Sequence, residues 1–158
     1  GASKADPADV DIARDVLSKG VRVLLPEDAV VADRFDKAAA SRIVPVEQVP
    51  AGWMILDIGP RTREHYAEEL KNAKMALWNG PMGVFEMSSF EQGTKTVAMA
   101  VAAATAKGAY SLIGGGDSVT AINKYHLADK VSYVSTGGGA LLEYIESGTL
   151  PGIEAIEK

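Results

Sequence analysis

A chain of 158 residues, 47% of them hydrophobic, suits one domain with a packed core and leaves little room for a second. Its formal charge of −5 excludes the broad basic surface needed by a nucleic-acid backbone or an anionic bilayer, so neither is an expected partner. Without cysteine there are no disulfides, thiolate metal sites or cysteine nucleophile, which fits a reducing compartment, and the apolar stretch 97–106 falls short of the roughly 20 residues of a membrane helix. With no secretory or lipidation signal at either end, a cytoplasmic protein is expected.

Asp6 before Pro7 is a side-chain cap followed by the residue best suited to a first helical turn. A helix is predicted from there to Gly20, with Ile12, Val16 and Leu17 as its buried stripe. Val21 to Leu25 reads as a strand ended by Pro26, and Ala32 to Ala40 fits either a short helix or an ordered loop. Short aliphatic strands are predicted at Arg42 to Val46 and Met54 to Ile58. Gly59 and Pro60 then open a helix to about Asn72, with Tyr66 and Leu70 on its inner face.

Met75 to Trp78 returns as a strand, and a long helix is predicted from about Ser89 to Lys107, closed by Gly108. A strand at Tyr110 to Ile113, a helix at Ser118 to Tyr125, a strand at Val131 to Val134 and a helix at Ala140 to Ser147 complete the alternation. This is the pattern of an α/β protein with an open, mostly parallel sheet and helices on both faces, a three-layer Rossmann-like arrangement. In such sheets ligands bind beyond the carboxyl ends of the strands. The polar or glycine-rich segments there are Asn79 to Gly83, Gly114 to Ser118 and Thr136 to Gly139.

Gly114-Gly115-Gly116-Asp117-Ser118 follows an apolar strand and enters a helix, so its backbone can approach a phosphate where the helix dipole favours negative charge. Asp117 has two readings there: a cap for the helix, or a carboxylate that meets phosphate through a bridging Mg²⁺. Thr136-Gly137-Gly138-Gly139-Ala140 repeats the order of strand, glycines and helix, either as simple helix entry or as a second set of bare N–H donors of the kind phosphoryl transfer needs. Neither segment has the Gly-x-x-x-x-Gly-Lys-Ser/Thr spacing of a P-loop or a dinucleotide fingerprint. Lys95, Lys107, Lys124 and Lys130 read as solvated charges, and His65 and His126 lack metal-ligand spacing.

Taken in order, several segments resemble the carboxy-terminal part of phosphoglycerate kinase: Leu25-Pro26-Glu27-Asp28 with Ala32-Asp33, Gly52-Trp53-Met54, Leu56-Asp57-Ile58-Gly59-Pro60, Trp78 to Glu86, Gly93-Thr94-Lys95, Gly114 to Ser118, and Val134 to Ala140, with Leu150-Pro151-Gly152 at the close. The resemblance implies a glycolytic phosphotransferase with a carboxyl group as acceptor, which moves phosphate between 1,3-bisphosphoglycerate and Mg-ADP to give 3-phosphoglycerate and Mg-ATP. It implies that Glu86 binds the ribose hydroxyls, that Leu56 and Val84 lie against the adenine and ribose, and that Asn79 and Pro81 line the nucleotide site near the phosphates. Gly115, Gly116 and Ser118 would contact phosphate, Asp117 would hold Mg²⁺, and Gly137, Gly138 and Gly139 would stabilise the transferred group. Read from the residues alone, Glu86 is rather a solvent-facing carboxylate.

The resemblance also implies that residues 1–158 are part of a nucleotide-binding domain, with 150–158 as its closing tail. The basic amino-terminal domain that binds the phosphoglycerate would then lie outside the chain, which alone would be inactive. The intact family member is expected to be a monomer. Ile55 departs from the family pattern, which commonly has glycine there, and a branched side chain would narrow or reshape the adenine pocket. A sheet that has lost strands would also expose an edge open to pairing with another chain.

Overall fold

The computed structural model describes residues 1–4 and 6–156, so the last two residues of the expected 150–158 tail lie outside the described residues. The chain divides into two compact units, one of Gly1–Tyr66 with Gly83–Gly93 and the other of Ala67–Met82 with Thr94 onward.

In the first unit, helix α1 (Pro7–Ser18) starts where Asp6 accepts a 2.9 Å hydrogen bond from the Ala8 N–H. Its apolar stripe exists but is not buried. Ile12 is 63% and Leu17 49% exposed, because no described element packs over that face and amphipathicity by itself supplies no partner. Residues 21–25 correct the sequence reading as well: they join neither sheet, and Val21 and Leu25 remain exposed. An extended apolar run becomes a strand only when a neighbour takes its backbone groups. Here the Leu24 carbonyl instead accepts the Tyr66 hydroxyl at 2.8 Å.

The strand falls a few residues later. β1 (Asp28–Ala32) lies between β2 (Ser41–Pro45) and β3 (Met54–Ile58), antiparallel to both. Val30 pairs with Ile43 on one side and Asp57 on the other, and a bulge between Val30 and Val31 shifts the β3 register. Residues 33–40 form an ordered loop, closed by Asp33, whose carboxylate takes the Ala40 N–H at 3.0 Å. Ala32, Leu56 and Phe90 form a buried cluster, with Val30, Met54, Val84 and Met87 packed against it.

Helix α2 (Pro60–Lys71) is capped by a residue distant in sequence. The buried Asp28 carboxylate accepts from the N–H groups of Arg61 and Thr62 at 3.1 and 2.9 Å, and from the Thr62 hydroxyl at 2.7 Å. The first turn of a helix leaves such donors without intrahelical partners, and β1 supplies the acceptor.

The second unit is built on a parallel sheet in the order β4 (Met75–Asn79), β5 (Tyr110–Gly114), β6 (Tyr133–Val134). Helix α3 (Gln92–Ala106) precedes β5, α4 (Gly116–Lys124) connects β5 to β6, and α5 (Gly139–Ser147) and α6 (Pro151–Ile156) follow. The α/β class with a parallel sheet flanked by helices is therefore observed, together with an antiparallel sheet that sequence reasoning did not separate from it. Ala76, Trp78 and Ile113 are buried with Val97, Ala98, Val101, Ala121 and Ile122. On the alternate strand positions Met75, Leu77, Tyr110 and Tyr133 remain exposed. Among the described residues no helix is long and apolar enough to cross a membrane.

Candidate functional site

The parallel register brings two of the expected loops level, since Asn79 at the end of β4 pairs with Gly114 at the end of β5. Gly115 is the N-cap of α4 at φ 80°, and a Cβ there would run into the Asn79 amide oxygen. A side chain is thus excluded twice, by backbone conformation and by a neighbour. Nothing lies within 4 Å of the Cβ position at Gly116, which leaves the first turn of α4 open to solvent. The N–H groups of that turn have no intrahelical acceptors.

Asp117 stands in this first turn, exposed. It is not the cap: the N-cap is Gly115, and no side chain caps the helix. Among the described residues the Asp117 carboxylate has no hydrogen-bond or ion-pair partner. No three His, Cys, Asp or Glu side chains gather among those residues to hold a metal, so a cation at Asp117 would need further ligands from elsewhere.

Ser118 differs from its glycine neighbours. It is fully buried, and its hydroxyl accepts the Gly80 N–H at 2.6 Å. The same loop is tied by the Trp78 indole N–H to the Gly80 carbonyl at 2.7 Å and by the Met82 N–H to the Thr94 hydroxyl at 3.1 Å. Asn79 and Pro81 are therefore set on a loop pinned from three directions. Thr94 is legible in the sequence only as part of Gly93-Thr94-Lys95, and its hydroxyl's duty depends on a contact distant in sequence.

Beyond β6, Ser135 continues the ladder by giving its N–H to the Ile113 carbonyl at 2.8 Å. Its hydroxyl accepts the Gly137 N–H at 3.2 Å. Gly138 is the N-cap of α5 at φ 53°, again without a side-chain cap, and Gly137 to Gly139 are exposed. Leu141 on α5 lies where a Cβ at Gly114 would stand, which places the start of α5 beside the end of β5.

The remaining expected residues are in the first unit. Leu56 and Val84 are joined by a 2.8 Å hydrogen bond from the Val84 N–H to the Leu56 carbonyl. With Phe35, Met54 and Ile55 they line a cavity of about 670 Å³. Ile55 forms part of its wall. The segment before α1 borders the same cavity, held by the Ala2 N–H to the Trp53 carbonyl at 2.6 Å and by the Ile55 N–H to the Ser3 hydroxyl at 2.8 Å. Glu86 is exposed and lines a separate hollow of about 400 Å³ with Phe35, Lys37 and Met87. Phe35 borders both spaces.

Two buried carboxylates complete the electrostatics of this unit. Burial pushes Asp28 up, but the bonds from Thr62 and from the Arg61 N–H, with the Arg61 charge, outweigh it and hold the group below its ordinary 3.8. For Asp57 burial wins over the N–H groups of Gly93 and Ile58 and the Arg63 charge, and lifts it to about 6. Sequence reasoning assigns Asp57 no duty, although an acidic residue between Leu56 and Ile58 in an apolar strand is the available signal. His65 sits 3.2 Å from the Glu27 carboxylate, and His126 is exposed.

A parallel sheet in which β5 and β6 lead through glycine N-caps into helices defines an open α/β protein with strand-end loops as its functional edge. The family model described as phosphoglycerate kinase matches residues 1–148, and the chain belongs to that family. The phosphoglycerate kinase of Porphyromonas gingivalis is 52% identical and is aligned over 99% of this chain and 38% of its own length. A phosphoglycerate kinase of Thermus thermophilus is 48% identical over 99% of this chain and 41% of its own. Among solved structures, phosphoglycerate kinase from Coxiella burnetii superposes with a TM-score of 0.89 at 41% identity, covering 98% of this chain and 40% of that one. The Pyrococcus horikoshii enzyme gives 0.78 at 33% identity, over 95% and 36%. The chain thus spans about two fifths of the length of the curated relatives it matches.

Proposed function

We propose that this chain carries part of the Mg-ATP/ADP site of a phosphoglycerate kinase, the whole of which moves phosphate between 1,3-bisphosphoglycerate and ADP. The observation that supports it best is Asp117: an exposed carboxylate without a partner among the described residues, in the first turn of a helix whose N–H groups lack intrahelical acceptors and whose cap is a glycine. A carboxylate beside phosphate-binding donors is unfavourable unless a cation intervenes, and Mg²⁺ bridges with one or two carboxylates plus phosphate oxygens and water. The residues present fit such an ion. When bound it would neutralise phosphate charge; Asp117 would hold it.

The other roles follow from the same reading. Gly115 and Gly116 present backbone N–H groups to phosphate, and Ser118 serves them by fixing the loop that carries Asn79 and Pro81. Gly137, Gly138 and Gly139 supply a second open helix start for the transferred group. In the first unit, Leu56 and Val84 offer an apolar wall for the nucleoside and Glu86 an acceptor for ribose hydroxyls. We read residues 1–158 as the carboxy-terminal part of a nucleotide-binding domain of a cytoplasmic enzyme. The phosphoglycerate would be bound by the part of the family that this chain does not align with, and the intact protein would act as a monomer.

Titration of the chain with Mg-ADP by calorimetry tests this, alongside a coupled assay of ATP-dependent phosphorylation of 3-phosphoglycerate. Weak Mg-ADP binding with no turnover is the expected result, because positioning two substrates is most of the catalysis and only one is held here. Turnover should appear when the remaining portion of a family member is added as a separate polypeptide. Turnover by the chain alone would place the acceptor site among these residues and overturn the division of labour.

A further inference from the structure

Asp57 is 1% exposed and has no part in the roles assigned above. Its oxygens serve two stretches of chain: Oδ1 accepts the Ile58 N–H at 2.9 Å, and Oδ2 accepts the Gly93 N–H at 2.8 Å. A Cβ at Gly93 would run into this carboxylate, and so would one at Gly83. Gly83 and Gly93 are the two ends of the segment that belongs to the first unit although it follows the second unit's β4 loop in sequence. Both ends therefore close on one buried carboxylate.

Between those ends the segment has little regular structure, with one short 3₁₀ turn at Ser88–Phe90. Phe85 and Phe90, 2% and 0% exposed, anchor it by burial. The Val84 N–H to Leu56 carbonyl bond joins it to the same strand that carries Asp57. Val84 and Glu86 thus stand on a loop whose shape depends on where its ends are held.

We propose that Asp57 is a positioning residue that bonds the Gly93 end of segment 83–93 and packs against its Gly83 end, and thereby fixes where Val84 and Glu86 meet the nucleoside. This deepens the nucleotide reading and rests on it, since Asp57 itself need not touch a ligand. A carboxylate suits the task because it is acceptor-only and takes N–H groups from two directions. Glycine at 83 and 93 lets the backbone come close. Asparagine offers one acceptor oxygen and turns its amide N–H₂ toward the other donor, so it can restore only part of the clamp. The chain keeps this carboxylate buried although burial opposes its charge, as its upward shift records.

Hydrogen exchange on the full chain without ligand, for the parent, Asp57→Ala and Asp57→Asn, reads the clamp directly. In Asp57→Ala the amides of Val84, Met87, Phe90 and Gly93 should lose protection by roughly tenfold or more, while those of β5 and α4 stay within about twofold. Asp57→Asn should fall between parent and alanine. Unchanged protection in 83–93, or an equal loss in β5 and α4 in both variants, overturns the proposal. If Asp57→Ala does not fold, Asp57→Asn decides by the same comparison. Calorimetry with Mg-ADP, at a temperature where each chain is fully folded, should show affinity reduced by roughly tenfold in the alanine variant and partly rescued by asparagine. Equal affinity in a folded Asp57→Ala chain also overturns the positioning role. If the parent binds no Mg-ADP, the nucleotide reading fails and the exchange comparison still decides the clamp.

Discussion

The buried hydroxyl of Ser118 accepts a 2.6 Å hydrogen bond from the backbone N–H of Gly80, so the first turn of α4 holds the loop that leaves β4. Ser118→Ala leaves that N–H without its acceptor. A loss of about 1–2 kcal/mol in unfolding free energy is expected, measured by urea denaturation. An unchanged midpoint would mean that water replaces the hydroxyl without cost.

Asp117 predicts the opposite pattern. Its carboxylate is exposed and has no hydrogen-bond or ion-pair partner among the described residues, so Asp117→Ala should leave stability within about 0.5 kcal/mol of the parent. The same substitution should abolish the Mg²⁺ dependence of any ADP binding, read by calorimetry with and without the metal. Mg²⁺ dependence that survives would remove Asp117 from the metal site.

The two glycines before Asp117 separate conformational from ligand effects. Gly115→Ala forces an L side chain to φ 80° against Asn79 and should cost about 1–3 kcal/mol in thermal or urea unfolding. Gly116→Ala meets open space in a helical turn, so stability should hold or rise by up to about 1 kcal/mol. If phosphate lies against that turn, Gly116→Ala will nevertheless weaken ADP binding.

The buried aspartates give opposite pH responses on the two sides of 3.8. Asp57 titrates near 6 in the folded chain and at an ordinary 3.8 when unfolded. Between those values the folded state keeps a proton that the unfolded state has lost, so stability falls as pH rises through this window, by about 3 kcal/mol at most. Asp28 sits below 3.8 when folded, so its contribution is present above 3.8 and is lost as pH falls through its folded value. Urea midpoints from pH 4 to 7 should therefore decline in the parent, and decline less in Asp57→Asn. A parent profile that rises over that range would contradict the raised Asp57.

Much of this architecture is readable residue by residue. Asp6 and Pro7 announce α1, Gly108 closes α3 at φ 97°, and the strands at 54–58, 75–79 and 110–114 lie within a residue of where their aliphatic runs place them. Each of these signals is local: a cap, a backbone conformation, a short apolar repeat. No strand forms at 21–25, because Val-Arg-Val-Leu-Leu has strand character while the pairing goes to Asp28–Ala32. Propensity cannot choose between adjacent segments when the partner decides.

Residue types at fixed spacing are enough for the order of elements, the glycine-rich strand ends and the family. Packing alone reveals that Ser118 faces Gly80 rather than solvent and that Asp117 is not a cap. It also shows Asp28 and Asp57 taking N–H groups at the first turns of helices that lie more than 30 residues further along the chain. A buried hydrogen bond needs a donor brought within about 3 Å. The chain order leaves that neighbour open, and the assembly of strands and helices supplies it.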